Sequence, residues 1–247
     1  MGRVIMSGVV PLLSKPVKGT KVGTLAVGSS VYLMENNVRT EFLVVNQGSP
    51  DASLYDSSCD GCWLLRKYLY SGIFNNTRSN IYATSELNSK LNGDYFNSLG
   101  NTEQAAIKFV KIPYVNWDTT PGTIKSGVDG LEVKVFLLST FEVGWTTADH
   151  ENYPETGAKL AYFPSGDAGD NTIRVGYFAN GKSEDWWLRD PNSMIATGQR
   201  EWVVSDTKSI DPGYAPTAAD VREPYGIRPA LILPSTAKID DTGLLIG

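Results

Sequence analysis

The chain has 247 residues, 41% of them apolar and 20% charged, which supplies a sizeable core and excludes a disordered composition. A net charge of −5, with scattered lysines and arginines, excludes the basic surface that nucleic acid requires. No apolar run approaches the roughly 20 residues needed to span a bilayer, so no membrane insertion is expected.

Residues 1–16 carry one Arg and a mildly apolar stretch that Ser7, Gly8 and Pro11 interrupt, with no small-residue cleavage site after it. This reads as an ordered arm or first strand and not as a signal peptide. Residues 30–34 and 38–46 are β-prone on either side of Glu35-Asn-Asn37, and asparagine tolerates the positive φ of a tight hairpin turn. Residues 1–49 are therefore expected to form a β-rich attachment segment. In Ser85-Glu-Leu-Asn-Ser-Lys-Leu-Asn-Gly93, Thr84 or Ser85 caps a helix, Leu87 and Leu91 share one face, and Gly93 stops it. A second helix is expected over residues 102–109, with Asn101 as its cap and Glu103 as early negative charge.

Short strands are expected over residues 131–138, 159–163, 173–178, 185–189, 201–205 and 227–233. The last is nearly all apolar and should be central and buried, with Pro229 near its start or at a bulge. Helices followed by strands, without βαβ alternation, give an α+β class. Between Arg189 and Gly226 the chain is polar and irregular, interrupted by Pro191, Pro212, Pro216 and Pro224. A loop-rich stretch held between apolar strands is more often functional than filler.

Motifs for catalysis are missing. The one histidine, His150, sits in a polar loop, and no nucleophile elbow, phosphate loop or dinucleotide glycine motif is present. The chain is read as a non-enzyme with no catalytic residues. Cys59 and Cys62 lack two further ligands for zinc, leaving structural thiols or a small local disulfide. Asp51, Asp56 and Asp60, and the acidic run at residues 166–171, offer oxygen ligands to Ca²⁺ without EF-hand spacing, so no cofactor is expected beyond a possible calcium ion. With Trp186, Trp187 and Leu188 alternating between core and rim, Arg189 and Arg228 suit buried guanidinium clamps that tie loop carbonyls or carboxylates to the sheet. Gly226 would permit the turn back into the last strand.

Two segments carry a family resemblance, Trp186-Trp-Leu-Arg-Asp-Pro191 and Gly226-Ile-Arg-Pro-Ala230. They are similar to the W-W-L-R-S-P and G-[VI]-R-P-A motifs of bacterial and phage proteins with a C-type-lectin-like fold. That group is related in pattern to the variable proteins of diversity-generating retroelements and to phage tropism determinants. Ser53-Leu-Tyr-Asp56, Cys59-Asp-Gly61, Trp63-Leu-Leu65, Glu142-Val-Gly144 and Gly157-Ala-Lys-Leu-Ala-Tyr-Phe163 extend the likeness, which covers residues 32–235. Asp190 stands where the group has Ser, and the stretch that follows lacks the Asn-rich look of diversified members.

The resemblance implies an α+β, C-type-lectin-like domain over residues 50–235, with residues 236–247 as a tail. It implies a phage virion protein of tail, baseplate or head surface that contacts a bacterial surface glycan or protein, assembled as a homo-oligomer with other virion proteins. The alternative is a purely structural decoration, collar or baseplate subunit. Formylglycine-generating oxidases share the fold, but Cys59 and Cys62 do not resemble their cysteine arrangement. Carried over, the solvent-facing ligand face includes Asn192, Gln199, Arg200, Trp202, Asp206, Tyr214 and Tyr225, with Ser193, Lys208 and Asp211 among them. Trp186, Trp187, Arg189, Gly226 and Arg228 form its structural frame. Asp190-Pro-Asn192 is similar to the Glu-Pro-Asn signature of calcium-dependent lectins, without the partner Trp-Asn-Asp motif.

Overall fold

Two five-stranded sheets organise the chain, and the apolar segments 186–188 and 230–233 explain why they form where they do: every residue in both runs is buried. The computed structural model describes residues 19–116, 122–149, 153–166, 171–192, 199–206 and 217–247. The expected arm over residues 1–16, His150, Ser193, Lys208, Asp211 and Tyr214 lie outside them, as does most of the acidic run at 166–171.

The first sheet runs Val135–Phe136, Ala230–Leu233, Cys62–Arg66, Val38–Gln47, Ser30–Glu35, with every neighbour antiparallel. Its hairpin turns at Asn36 and Asn37, both at positive φ (51° and 62°), as the two-residue turn requires. Because this hairpin pairs directly with Cys62–Arg66, residues 30–47 are an integral part of the sheet and not an appended arm. The segment expected as a tail is also ordered: Lys238–Ile239 and Leu245–Ile246 join Thr20–Lys21 in a small three-stranded sheet.

The second sheet runs Thr217–Asp220, Arg200–Val204, Trp186–Pro191, Tyr225–Ile227, Tyr70–Gly72. Trp186–Pro191 and Tyr225–Ile227 are parallel; the other pairs are antiparallel. The apolar run 227–233, expected as one strand, therefore serves two sheets. Tyr225–Ile227 lies in the second and Ala230–Leu233 in the first, and Pro229, which has no N–H to give a ladder, marks the crossing.

Helix is sparse, so the class is α+β and strand-rich. Ser85 caps Glu86–Lys90 by accepting from the Asn88 amide, but Gly93 does not end the helical segment. The chain widens into a π turn over Leu91–Tyr95 and continues as Phe96–Ser98. Asn92 accounts for this: its Oδ1 accepts from the Lys134 and Val135 amides while its Nδ2 donates to the Val135 carbonyl, pinning the wide turn to the first sheet. The second helix is Asn101–Ala106, shorter than expected, with Gly100 and not Asn101 at its N-cap. Residues 159–163 form a turn and no strand. The Leu160, Tyr162 and Ala161 amides go singly to the Glu142 and Val45 carbonyls and to Asn46 Oδ1, and the bulge between Val44 and Asn46 frees the Val45 carbonyl for Tyr162. Residues 171–174 are a 3-10 turn, leaving only Gly176–Tyr177 as strand.

Candidate functional site

The strand Trp186–Pro191 is buried from end to end and carries the centre of the site. Trp186 donates from Nε1 to the Arg174 carbonyl at 2.9 Å, and Trp187 from Nε1 to the Gly72 carbonyl at 3.0 Å. The Trp187 ring meets Tyr225 edge-on, with centroids 5.0 Å apart, and lies 5.5 Å from Phe74. Both indoles are core, so neither reaches a rim.

Arg189 is satisfied completely. Nη1 and Nη2 hold the two oxygens of Glu142 at 2.6 and 2.7 Å, and the remaining N–H groups donate to the carbonyls of Pro113, Leu137 and Thr156. Glu142 also accepts from Tyr55 Oη at 2.8 Å and from the Ser139 amide at 3.0 Å. Burial works against the guanidinium charge, but Glu142 outweighs it and the net shift of Arg189 is upward. With no donor left over, Arg189 holds loops to the sheet and is closed to a ligand.

Asp190 is buried beside it. Its Oδ2 accepts from the Thr140 amide and hydroxyl, both at 2.7 Å, and its Oδ1 accepts from the Thr156 hydroxyl. Burial pushes its carboxyl up to about 6. Glu201 pairs across the strand from Pro191 and is wholly buried, yet among the described residues neither of its oxygens has a hydrogen-bond partner. Burial first, and the charge of Asp190 second, push the Glu201 carboxyl well above the usual range, favouring the protonated acid.

The expected ligand face divides. Gln199 and Arg200 are exposed, while Asn192, Asp206 and Tyr225 are half-buried. Asn192 donates its amide to the Arg200 carbonyl, and Asp206 donates its amide to Asp185 Oδ1 at 2.7 Å. Trp202 is a correction: it is only 4% exposed and packs edge-on against Tyr153 with centroids 4.9 Å apart. Along Arg200–Val204 four of the five residues are buried. Gly226 is a second correction. It sits in a strand at ordinary φ, and its small size is needed because a Cβ there would lie 2.6 Å from Leu69 Cδ1 and 2.9 Å from the Asp185 carbonyl. Arg228 is buried as expected, and its guanidinium donates to one carbonyl, that of Arg66.

Cys59 and Cys62 are buried free thiols, not a disulfide. Burial pushes both up to about 12, which keeps them protonated and unreactive at neutral pH. Asp51 and Asp56 cap local turns by accepting from the Ser53 and Ser58 amides. Among the described residues no group of three or more His, Cys, Asp or Glu could hold a metal ion, and no helix is long and apolar enough to cross a membrane.

Glu142, Tyr55, Thr140, Thr156 and Glu201 complete the buried network, and none was singled out individually by sequence reasoning. The available signal was an acid beside apolar residues, Glu142 between Phe141 and Val143 and Glu201 directly ahead of Trp202-Val-Val204. A family model described as a domain of unknown function, DUF6273, matches residues 60–235. No curated protein and no solved structure matches the chain.

Proposed function

The chain belongs to the DUF6273 family, and from there we propose that it is a phage virion protein with a C-type-lectin-like fold whose polar face contacts the bacterial surface. The observation that carries this reading is the pairing of a locked frame with an open edge. Arg189 and Glu142 fix the strand Trp186–Pro191 internally, while Gln199 and Arg200 present polar side chains to solvent on the adjoining strand segment. A rigid sheet that carries adaptable polar residues binds at low ordering cost. The motifs Trp186-Trp-Leu-Arg-Asp-Pro191 and Gly226-Ile-Arg-Pro-Ala230 support the phage assignment through their resemblance to tropism determinants. Thiols held protonated by burial support a binding role over a catalytic one. In the particle the protein would assemble as a homo-oligomer with other virion proteins.

The test compares the wild type with Gln199→Ala/Arg200→Ala on a panel of bacterial cells and purified surface glycans. Cell or glycan binding should weaken by about tenfold, roughly 1.4 kcal/mol, with an unchanged melting curve. Undiminished binding by the double variant rejects the face. Capture of particle proteins by a chain that binds no cells favours the decoration reading.

A further inference from the structure

Among the described residues three arginines are almost fully buried, and their charges are handled differently. Arg189 has Glu142 and three carbonyls. Arg174 donates to the Val143 and Pro164 carbonyls and to Asn171 Oδ1, and lies 4.4 Å from the Trp145 ring centre. Among the described residues Arg228 donates only from Nε, to the Arg66 carbonyl at 3.1 Å, and its buried Nη1 has no hydrogen-bond partner. The Trp186 ring centre lies 5.2 Å from its guanidinium carbon, and Tyr162 adds a favourable electrostatic contact.

Among the described residues, the carboxylates paired with its neighbours Arg66 and Lys67 are committed to those partners. Glu35 is held by Arg66, and Glu41 by Lys67 at 3.0 Å through both oxygens. An uncompensated buried guanidinium is costly, and burial pulls Arg228 down to about 10. The chain places it there through the crossing at Pro229, whose carbonyl accepts from the Arg66 amide.

Arg228 lines a cleft of about 180 Å³. Leu43, Val175 and Arg228 are its buried wall; Lys67 and Tyr177, the latter 43% exposed, stand where it meets solvent, and Tyr162 lines it as well. Since Glu41 already neutralises Lys67, the cleft carries one uncompensated positive charge. A single negative charge balances it, whereas a dianion would leave an excess opposite Glu41. A guanidinium with a donor left unpartnered suits a carboxylate oxygen.

We propose that this cleft binds the carboxylate of a small organic acid, an acidic sugar being the class that its tyrosine-lined walls suit. The site shares no lining residue with Gln199 and Arg200, so the two readings fail separately.

The experiment titrates D-glucuronate, glucose and sulfate into the wild type, Arg228→Met and Tyr177→Ala, by calorimetry beside melting curves. Wild type should bind glucuronate at least tenfold more tightly than glucose or sulfate. Arg228→Met keeps an apolar stem, removes the unpaired charge, and should lose that preference while melting close to wild type. Tyr177→Ala, at the exposed edge, should weaken glucuronate with the fold intact, and it locates the site should Arg228→Met fail to fold. Glucuronate bound no better than glucose overturns the proposal. So does sulfate bound as tightly as glucuronate, or retention of wild-type affinity by a folded Arg228→Met or by Tyr177→Ala.

Discussion

Arg189 and Glu142 face each other through two parallel hydrogen bonds of 2.6 and 2.7 Å, with neither side chain exposed to solvent. The pair joins the second sheet to the loop after Phe136 and to the segment around Thr156 and Ala158, because Arg189 and the Glu142 partner Tyr55 bind those backbones directly. A pair so enclosed is costly to break on one side, since the surviving charge stays buried.

Glu142→Ala should accordingly destabilise the fold by about 3–5 kcal/mol in urea unfolding. The double variant Arg189→Met/Glu142→Leu should lose clearly less than the sum of the two single changes, because it leaves no orphaned charge. Additive losses would show that the two side chains do not act as a pair.

Trp187→Ala should cost about 3–5 kcal/mol, as removal of a buried aromatic does. The ring packs between Phe74 and Tyr225, and its Nε1 ties the strand to Gly72. Trp202→Ala should also lower the melting temperature, since its ring lies against Tyr153 in the interior. A melting curve unchanged in either variant would contradict these placements.

Gly226→Ala should destabilise by about 1–3 kcal/mol through overpacking. The added methyl group would meet Leu69 and the Asp185 carbonyl, and that carbonyl accepts the Gly226 amide at 2.7 Å, so the backbone cannot move aside without losing a bond. The companion change Leu69→Ala should recover part of the loss if the side chain is the main obstacle. Thermal unfolding of the two variants, alone and combined, measures this.

Where local chemistry decides, the sequence was legible. Glu35-Asn36-Asn37 announced the hairpin turn, Thr84 or Ser85 the helix cap, and residues 185–189 a strand, although its tryptophans were expected to alternate between core and rim and are both core. Long-range pairing was not legible. Nothing local in residues 227–233 says that Ile227 and Ala230 belong to different sheets, and nothing in Leu91-Asn-Gly93 says that Asn92 will bridge to Val135. The same limit applied at the site. An aromatic in a polar region, Trp202, looked like a surface anchor because its partner, Tyr153, is 49 positions away in the chain. Glu201 and Glu142 read as ordinary acids among 27, and the apolar residues beside each were the one local hint of their burial.

Glu201 gives the sharpest dependence on pH. The folded chain raises its carboxyl well above the usual value of 4.5, chiefly by burial and then by Asp190. A group raised on folding binds its proton more tightly in the folded state. Its contribution to stability is therefore fully present below the unfolded value and is lost as pH rises through the folded one. Glutamine has the same shape and cannot ionise. Glu201→Gln and the wild type should therefore melt at similar temperatures at pH 4. The variant should become progressively the more stable of the two as pH is raised toward 9. Asp185 and Asp190, each pushed by burial up to about 6, add a decline between pH 4 and 6 that both proteins share, so the difference between the two melting curves isolates Glu201. A difference that stays constant across the range would mean that Glu201 does not change its ionisation on folding.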